Sequence, residues 1–142
     1  MHAKYKNERF DFQIRRESAF PDSFLQLNSI SSKAWRGRFG IEFKGEDGID
    51  EGGLTKEWFS LLSKEMLNED MALFNKSQAG ATYYPNPKST VQPNYLDLFT
   101  FIGKVVGKAL WDQHLLDCYF VKSFYKLILS ISLTYHDLED YD

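Results

Sequence analysis

His114 and Cys118 are the residues whose types and spacing come closest to nucleophilic chemistry, because they lie four positions apart. On a continuous helix, residues at i and i+4 are neighbours, so this spacing could pair a thiol with a general base. The adjacent Asp117 argues against that role, since a nearby carboxylate raises the pKa of a thiol and disfavours the thiolate. A buried structural thiol is therefore the favoured interpretation of Cys118.

An acidic, glycine-rich stretch at residues 45–53 is the second candidate. Glu46, Asp47, Asp50 and Glu51 could suggest calcium, but their spacing does not follow the alternating ligands of an EF-hand loop. The stretch lacks the Gly-Lys-Ser/Thr of a phosphate loop, and the three histidines of the chain are too scattered to suggest a zinc site. We therefore expect a solvated acidic loop, with no cofactor and no metal. The basic residues at 15–16 and 33–38 are likewise expected to form solvated faces.

Composition sets the class of protein that could carry these residues. The 142 residues suffice for one modest domain, and the net charge of −3 argues against nucleic acid as the main partner. The single cysteine cannot form an internal disulfide, and no apolar run approaches the roughly 20 residues that a membrane span needs. We expect an intracellular protein of the cytoplasm, with the nucleus left open.

The hydrophobic pattern predicts a mainly α-helical α+β fold with small β-hairpins. Alternation of apolar and polar residues predicts strands, and an apolar residue at every third or fourth position predicts helices. Strands are expected at about 10–14 and 39–43, with a hairpin formed by 73–74 and 82–84. Helices are expected at about 16–28, 32–38, 54–67, 94–113 and 121–129, with another starting near Thr134. The prolines at 85, 87 and 93 are expected to exclude regular structure until residue 94.

The glycine-rich stretch has a structural interpretation of its own. Its glycines permit backbone angles closed to other residues, which would let the chain turn sharply from strand to helix; they are Gly48, Gly52 and Gly53. Asp50 and Glu51 lie where a helix N-terminus has free N–H groups and partial positive charge. Trp58 and Phe59 would then anchor the helix on the core. Gly103 and Gly107, spaced as in GxxxG, predict a close helix crossing.

Residues 39–59 also resemble the opening of a HECT-type ubiquitin ligase domain. The family pattern is an aromatic strand, a Gly-Glu-(Glu/Asp)-Gly turn, Asp-x-Gly-Gly, and a helix that starts near Glu-Trp-Phe. This sequence supplies the pattern's signature residues in that order: Asp50, Gly52, Gly53, Glu57 and Trp58. Short motifs similar to those of the family follow in the same order at 65–68, 72–74, 86–87, 93–96, 101–109 and 120–126. The resemblance therefore runs from about residue 15 to the end.

The resemblance implies a specific place in a larger enzyme. Residues 15–142 would be the large subdomain of a HECT N-lobe, truncated before the conjugating-enzyme-binding subdomain and the C-lobe, and residues 1–14 a short extension. The family's thioester cysteine lies in the C-lobe, so no catalytic residue is assigned here and the fragment would act as scaffold. Ubiquitin, a ubiquitin-conjugating enzyme and protein substrates are the implied partners.

Two alternatives accompany that interpretation. In some HECT proteins this part of the N-lobe binds ubiquitin non-covalently, which would make Leu73, Phe74, Tyr83 and Tyr84 a contact surface; the simpler alternative is a hairpin that packs its rings on the helices. The chain could also be a non-catalytic interaction module, for ubiquitin or another partner, derived from a HECT N-lobe.

Overall fold

A computed structural model describes residues 9–48, 50–77 and 82–114 of the chain. The chain divides into two compact units, Met1–Glu65 and Met66–Asp142. Cys118 and the helices predicted at 121–129 and near Thr134 lie outside the described residues, so these predictions stay open. Within the described part, no helix has the length and apolar character needed to cross a membrane.

The first unit is built on a parallel pair of strands, β1 (Arg9–Ile14) and β2 (Arg38–Phe43), with Phe12 opposite Ile41. A parallel pair needs a crossover connection, and here it is a 3-10 helix (Arg16–Ser18) followed by α1 (Ala19–Leu27) and α2 (Ser32–Arg36). The predicted strands are thus present, but they pair in parallel and do not form a hairpin. The strand β1 lies entirely within residues 1–14, the segment interpreted as an extension.

Helix ends in this unit are held by side chains. Ser31 Oγ accepts from the Ala34 N–H at 3.1 Å and so caps α2. At α1 the cap comes from far along the sequence, because Glu65 Oε2 accepts from the Phe20 N–H at 2.8 Å. Burial raises the pKa of Glu65, and the backbone N–H groups of α1 oppose that rise.

The second unit contains an antiparallel hairpin of β3 (Phe74–Lys76) and β4 (Tyr83–Pro85), as predicted, with Asn75 opposite Tyr84. The expectation that prolines exclude regular structure before residue 94 is wrong, because Pro87–Val91 is a 3-10 helix. Proline suits a first helical position, where its missing N–H has no partner to lose. Asn86 caps this helix by accepting from the Lys88 N–H at 2.9 Å.

The last helix described in the second unit is long and spans Tyr95–Trp111, close to the predicted 94–113. Six apolar side chains of this helix are buried: Leu98, Phe101, Ile102, Val105, Val106 and Ala109. Leu110 is 51% exposed, whereas the charged Lys108 is buried. The Lys108 ammonium lies 3.1 Å from the Asp112 carboxylate, and burial lowers the pKa of Lys108. Among the described atoms nothing lies within 4 Å of a Cβ built on Gly103, and the close helix crossing expected at Gly103 and Gly107 stays a prediction.

Candidate functional site

The candidate site begins where β2 ends and the chain turns. The Glu46 N–H donates to the Phe43 carbonyl at 3.1 Å, which closes a four-residue turn. Gly45 occupies the third position of this turn with φ +79°, a conformation that side chains other than glycine rarely adopt. Among the described glycines it alone has a positive φ. The prediction that Gly48, Gly52 and Gly53 supply special backbone angles is therefore wrong.

The helix that follows, α3 (Glu51–Met66), starts three residues earlier than predicted. Asp50 caps it, because its Oδ1 accepts from the Gly53 N–H at 3.1 Å while its carbonyl accepts from Leu54 N at 2.9 Å. Asp50 thus acts at the helix N-terminus as expected, and Gly52 and Gly53 belong to the first turn of the helix.

The two glycines of that first turn have different surroundings. A Cβ on Gly53 would lie 2.5 Å from Asp50 Oδ2, whereas one on Gly52 would find its nearest neighbour, Asp50 Oδ1, at 3.8 Å. A side chain at Gly53 would therefore displace the capping carboxylate, whereas one at Gly52 would have ordinary room. Gly48 is tight as well, with Leu54 Cδ1 2.9 Å from its built Cβ.

Residues 44–48 and 50 are exposed, as expected for a solvated acidic loop, and an arginine nevertheless binds two carboxylates around the turn, Glu46 and Glu57. Arg16 donates to both oxygens of Glu46, from Nε at 2.9 Å and from Nη2 at 2.7 Å, and its Nη1 pairs with Glu57. Its Cζ lies 4.3 Å from the centroid of the Phe43 ring. The bond to Glu46 raises the pKa of Arg16 and lowers the pKa of Glu46.

Two further arginines form ion pairs with Glu51 at the start of α3. Arg9 Nη1 lies 2.6 Å from Glu51 Oε1, and Arg38 Nη2 lies 3.1 Å from Glu51 Oε2. Arg15 instead donates two hydrogen bonds to the Asp22 carboxylate of α1, from Nε to Oδ2 at 3.0 Å and from Nη2 to Oδ1 at 2.8 Å. Arg15 and Arg16, which follow β1, thus bind α1, the turn and α3, whereas Arg38, the first residue of β2, binds α3. The predicted solvated face is confirmed for Arg15 and Arg38, which are exposed, and is wrong for Arg36, which is buried.

Trp58 is the anchor of α3, as the sequence predicted. Its side chain is fully buried, and its ring centroid lies 5.7 Å from that of Phe12 and 5.8 Å from that of Phe39, both in edge-on geometry. Its indole N–H donates to Ser23 Oγ on α1 at 2.9 Å. One side chain therefore joins the sheet, α1 and α3, while Glu57, one position earlier, faces Arg16.

The hairpin residues proposed to contact ubiquitin divide into two pairs. Leu73 and Phe74 are buried, at 0% and 5% exposure, and the Phe74 ring packs edge-on against Phe99 of the long helix at 5.4 Å. Tyr83 is half-buried beside Lys76, and Tyr84 is exposed. The packing of Phe74 agrees with the simpler alternative, so the ubiquitin-contact prediction now concerns the two tyrosines alone.

The residues described here offer little for metal or nucleophilic chemistry. Across 9–48, 50–77 and 82–114, no group of three or more His, Cys, Asp or Glu side chains is arranged to hold a metal ion. The sole cysteine of the chain, Cys118, lies outside these ranges. The geometry instead provides a hydrogen-bonded turn and a helix cap that connect β2 to α3.

Comparison with known proteins identifies the family to which this chain belongs. Residues 60–142 match the family described as HECT-domain (ubiquitin-transferase). The chain is 43% identical over 141 residues, 99% of its length, to E3 ubiquitin-protein ligase UPL2 of Arabidopsis thaliana. It is 43% identical over 138 residues to E3 ubiquitin-protein ligase HUWE1 of Mus musculus, and 38% identical over 136 residues to HACE1 of Danio rerio.

The chain belongs to the HECT-domain family, and the resemblance found in its sequence is confirmed. It spans 4% of UPL2, 3% of HUWE1 and 15% of HACE1. The family match begins at Ser60 of α3, while the similarity to UPL2 and HUWE1 extends over nearly the whole chain, which includes the capped turn and its arginines.

Proposed function

We propose that this chain is part of a HECT-type ubiquitin ligase, a protein that accepts ubiquitin from a conjugating enzyme and passes it to a substrate lysine. The observation that carries the proposal is the 43% identity to UPL2 over 99% of the chain. Residues 15–142 would form the large subdomain of the N-lobe. We include β1 in that subdomain, because all six of its residues pair with β2.

The proposed reaction has two acyl transfers. A cysteine thiolate attacks the carbonyl carbon of the thioester between conjugating enzyme and ubiquitin, a new thioester forms, and the conjugating enzyme's cysteine leaves as a thiolate. The amine of a substrate lysine then attacks this second thioester, loses a proton and forms an isopeptide bond, which releases the ligase cysteine. We assign that cysteine to a C-lobe outside these residues, and this chain the role of scaffold.

A thioester assay on the ligase containing this chain tests the assignment. Ubiquitin-activating enzyme, a conjugating enzyme and labelled ubiquitin are mixed with the ligase, and the adduct is read on a gel with and without reducing agent. We expect a reducible adduct that survives Cys118→Ser and disappears when the C-lobe cysteine is changed to serine. Loss of the adduct in Cys118→Ser alone, with the fold intact by circular dichroism, would overturn it.

A second candidate function is weak ubiquitin binding by the hairpin, which the exposure of Tyr84 favours. Titration of unlabelled chain into isotope-labelled ubiquitin should shift a localised set of ubiquitin resonances, and Tyr83→Ala/Tyr84→Ala should reduce the shifts. Phe99→Leu, which alters the buried side of the hairpin, serves as the matched control. Absence of shifts at about millimolar chain, where a Kd near 1 mM corresponds to only about −4 kcal/mol, would refute this function and leave the ligase assignment standing.

A further inference from the structure

Three side chains of the first unit converge on the guanidinium of Arg16. Glu46 accepts two bonds, from Nε at 2.9 Å and Nη2 at 2.7 Å. Glu57 pairs with the remaining nitrogen, Nη1, and Phe43 faces Cζ with its ring centroid 4.3 Å away. Both edges and one flat face of the guanidinium are therefore engaged.

This arrangement fits a guanidinium better than an ammonium. A guanidinium is planar and presents its donors as a fixed fork that matches a carboxylate at two points, whereas an ammonium is a compact point charge. A planar cation can also lie over an aromatic ring while its edges bond to carboxylates. The site is thus selective in shape as well as in charge.

The walls of the site come from one segment of the chain, which does not contain Arg16. Phe43, Glu46 and Glu57 come from the end of β2, the following turn and α3, a contiguous stretch that is set by Gly45 and by the cap at Asp50. Phe43 is buried and fixed. The side chains of Glu46 and Glu57 are 41% and 45% exposed, so a ligand can reach them from solvent.

We propose that Phe43, Glu46 and Glu57 form a guanidinium-binding site, which Arg16 of the same chain fills in this structure and which another arginine side chain can fill when Arg16 is absent. Arg16 then acts as a latch between the first strand's end and the turn. The ligand class is an arginine side chain on a peptide or protein segment.

Chemical rescue of the 142-residue Arg16→Ala variant tests the site. Thermal unfolding is followed by circular dichroism with ethylguanidinium, the truncated arginine side chain, and with ethylammonium at equal ionic strength. A ligand that binds only the folded state raises Tm by mass action. We expect ethylguanidinium to raise the Tm of Arg16→Ala, ethylammonium to leave it unchanged, and neither cation to raise the Tm of the wild type.

Matched variants separate this site from general salt effects. Adding Glu46→Gln or Glu57→Gln to Arg16→Ala should abolish the rescue, and Arg38→Ala, which vacates the contact with Glu51 instead, should show none. If Arg16→Ala does not melt cooperatively, recovery of its helical signal on refolding in either cation is the measurement. Equal effects of the two cations, or equal responses of wild type and Arg16→Ala, would overturn the proposal.

Discussion

The indole N–H of Trp58 donates to Ser23 Oγ at 2.9 Å, and both side chains are fully inaccessible to solvent. The bond crosses 35 positions of sequence and links α3 to α1. Because both groups are buried away from solvent, loss of either one leaves the other without its hydrogen-bond partner.

A double-mutant cycle on this pair should therefore reveal strong coupling. Ser23→Ala leaves a buried indole N–H unpaired and is expected to lower the free energy of unfolding by about 1–3 kcal/mol. Trp58→Phe removes the donor and some packing volume, so Ser23→Ala should cost less in that background, with a coupling of at least about 0.5 kcal/mol. Urea unfolding of the four proteins measures this, and strictly additive effects would contradict it.

Alanine at the two first-turn glycines of α3 should have unequal effects. Gly52→Ala is expected to stabilise the chain by up to about 1 kcal/mol, since alanine is the better helix former and the Cβ has room. Gly53→Ala displaces the Asp50 carboxylate and should forfeit about 1 kcal/mol of cap energy. Urea midpoints compare the pair, and equal stabilisation by both variants would refute the steric role of Gly53.

Gln113, two residues after the long helix ends, adopts an unfavourable backbone conformation that a substitution could relieve. The Gln113 N–H donates to the Leu110 carbonyl and the His114 N–H to the Ala109 carbonyl, which is the Schellman pattern. Gln113 adopts φ 60°, where glycine is the usual residue. Gln113→Gly should raise the free energy of unfolding by up to about 1 kcal/mol, whereas Gln113→Ala keeps the strain. A lower Tm for Gln113→Gly than for Gln113→Ala would contradict this.

The pair of Arg15 and Asp22 should make stability depend on acid. The Arg15 side chain and backbone N–H hold the pKa of Asp22 at about 2, below its ordinary 3.8. Because the folded pKa is the lower one, the contribution is present above pH 3.8 and is lost as pH falls through about 2. Urea midpoints across this window should fall more steeply for wild type than for Asp22→Asn. Parallel profiles would show that Asp22 is not linked to folding.

Sequence periodicity predicted the helices well, because an apolar face is a local property. The capped turn was predicted less well. Glycine content suggested a loop through residue 53, whereas Asp50 starts α3 at Glu51, and a side-chain cap can outweigh weak helix propensity.

Contacts between distant residues could not be predicted from local pattern. Arg16 reaches Glu46 and Glu57 across 30 and 41 positions, so charges that are exposed, as the sequence indicates, also form ion pairs that the sequence does not reveal. The parallel pairing of β1 with β2 has the same origin, since alternation predicts a strand without naming its partner. The family resemblance, in contrast, could be recognised from the sequence, because it depends on the order of short sequence motifs.

We propose that this chain serves a ubiquitin ligase as scaffold and that its own cysteine, Cys118, does not accept ubiquitin. Intact mass spectrometry of the 142-residue chain, after incubation with activating enzyme, conjugating enzyme, ATP and ubiquitin under non-reducing conditions, tests it most directly. We expect an unchanged mass for both the wild type and Cys118→Ser. A wild-type mass increased by one ubiquitin, reversed by reductant and absent in Cys118→Ser, would contradict the claim.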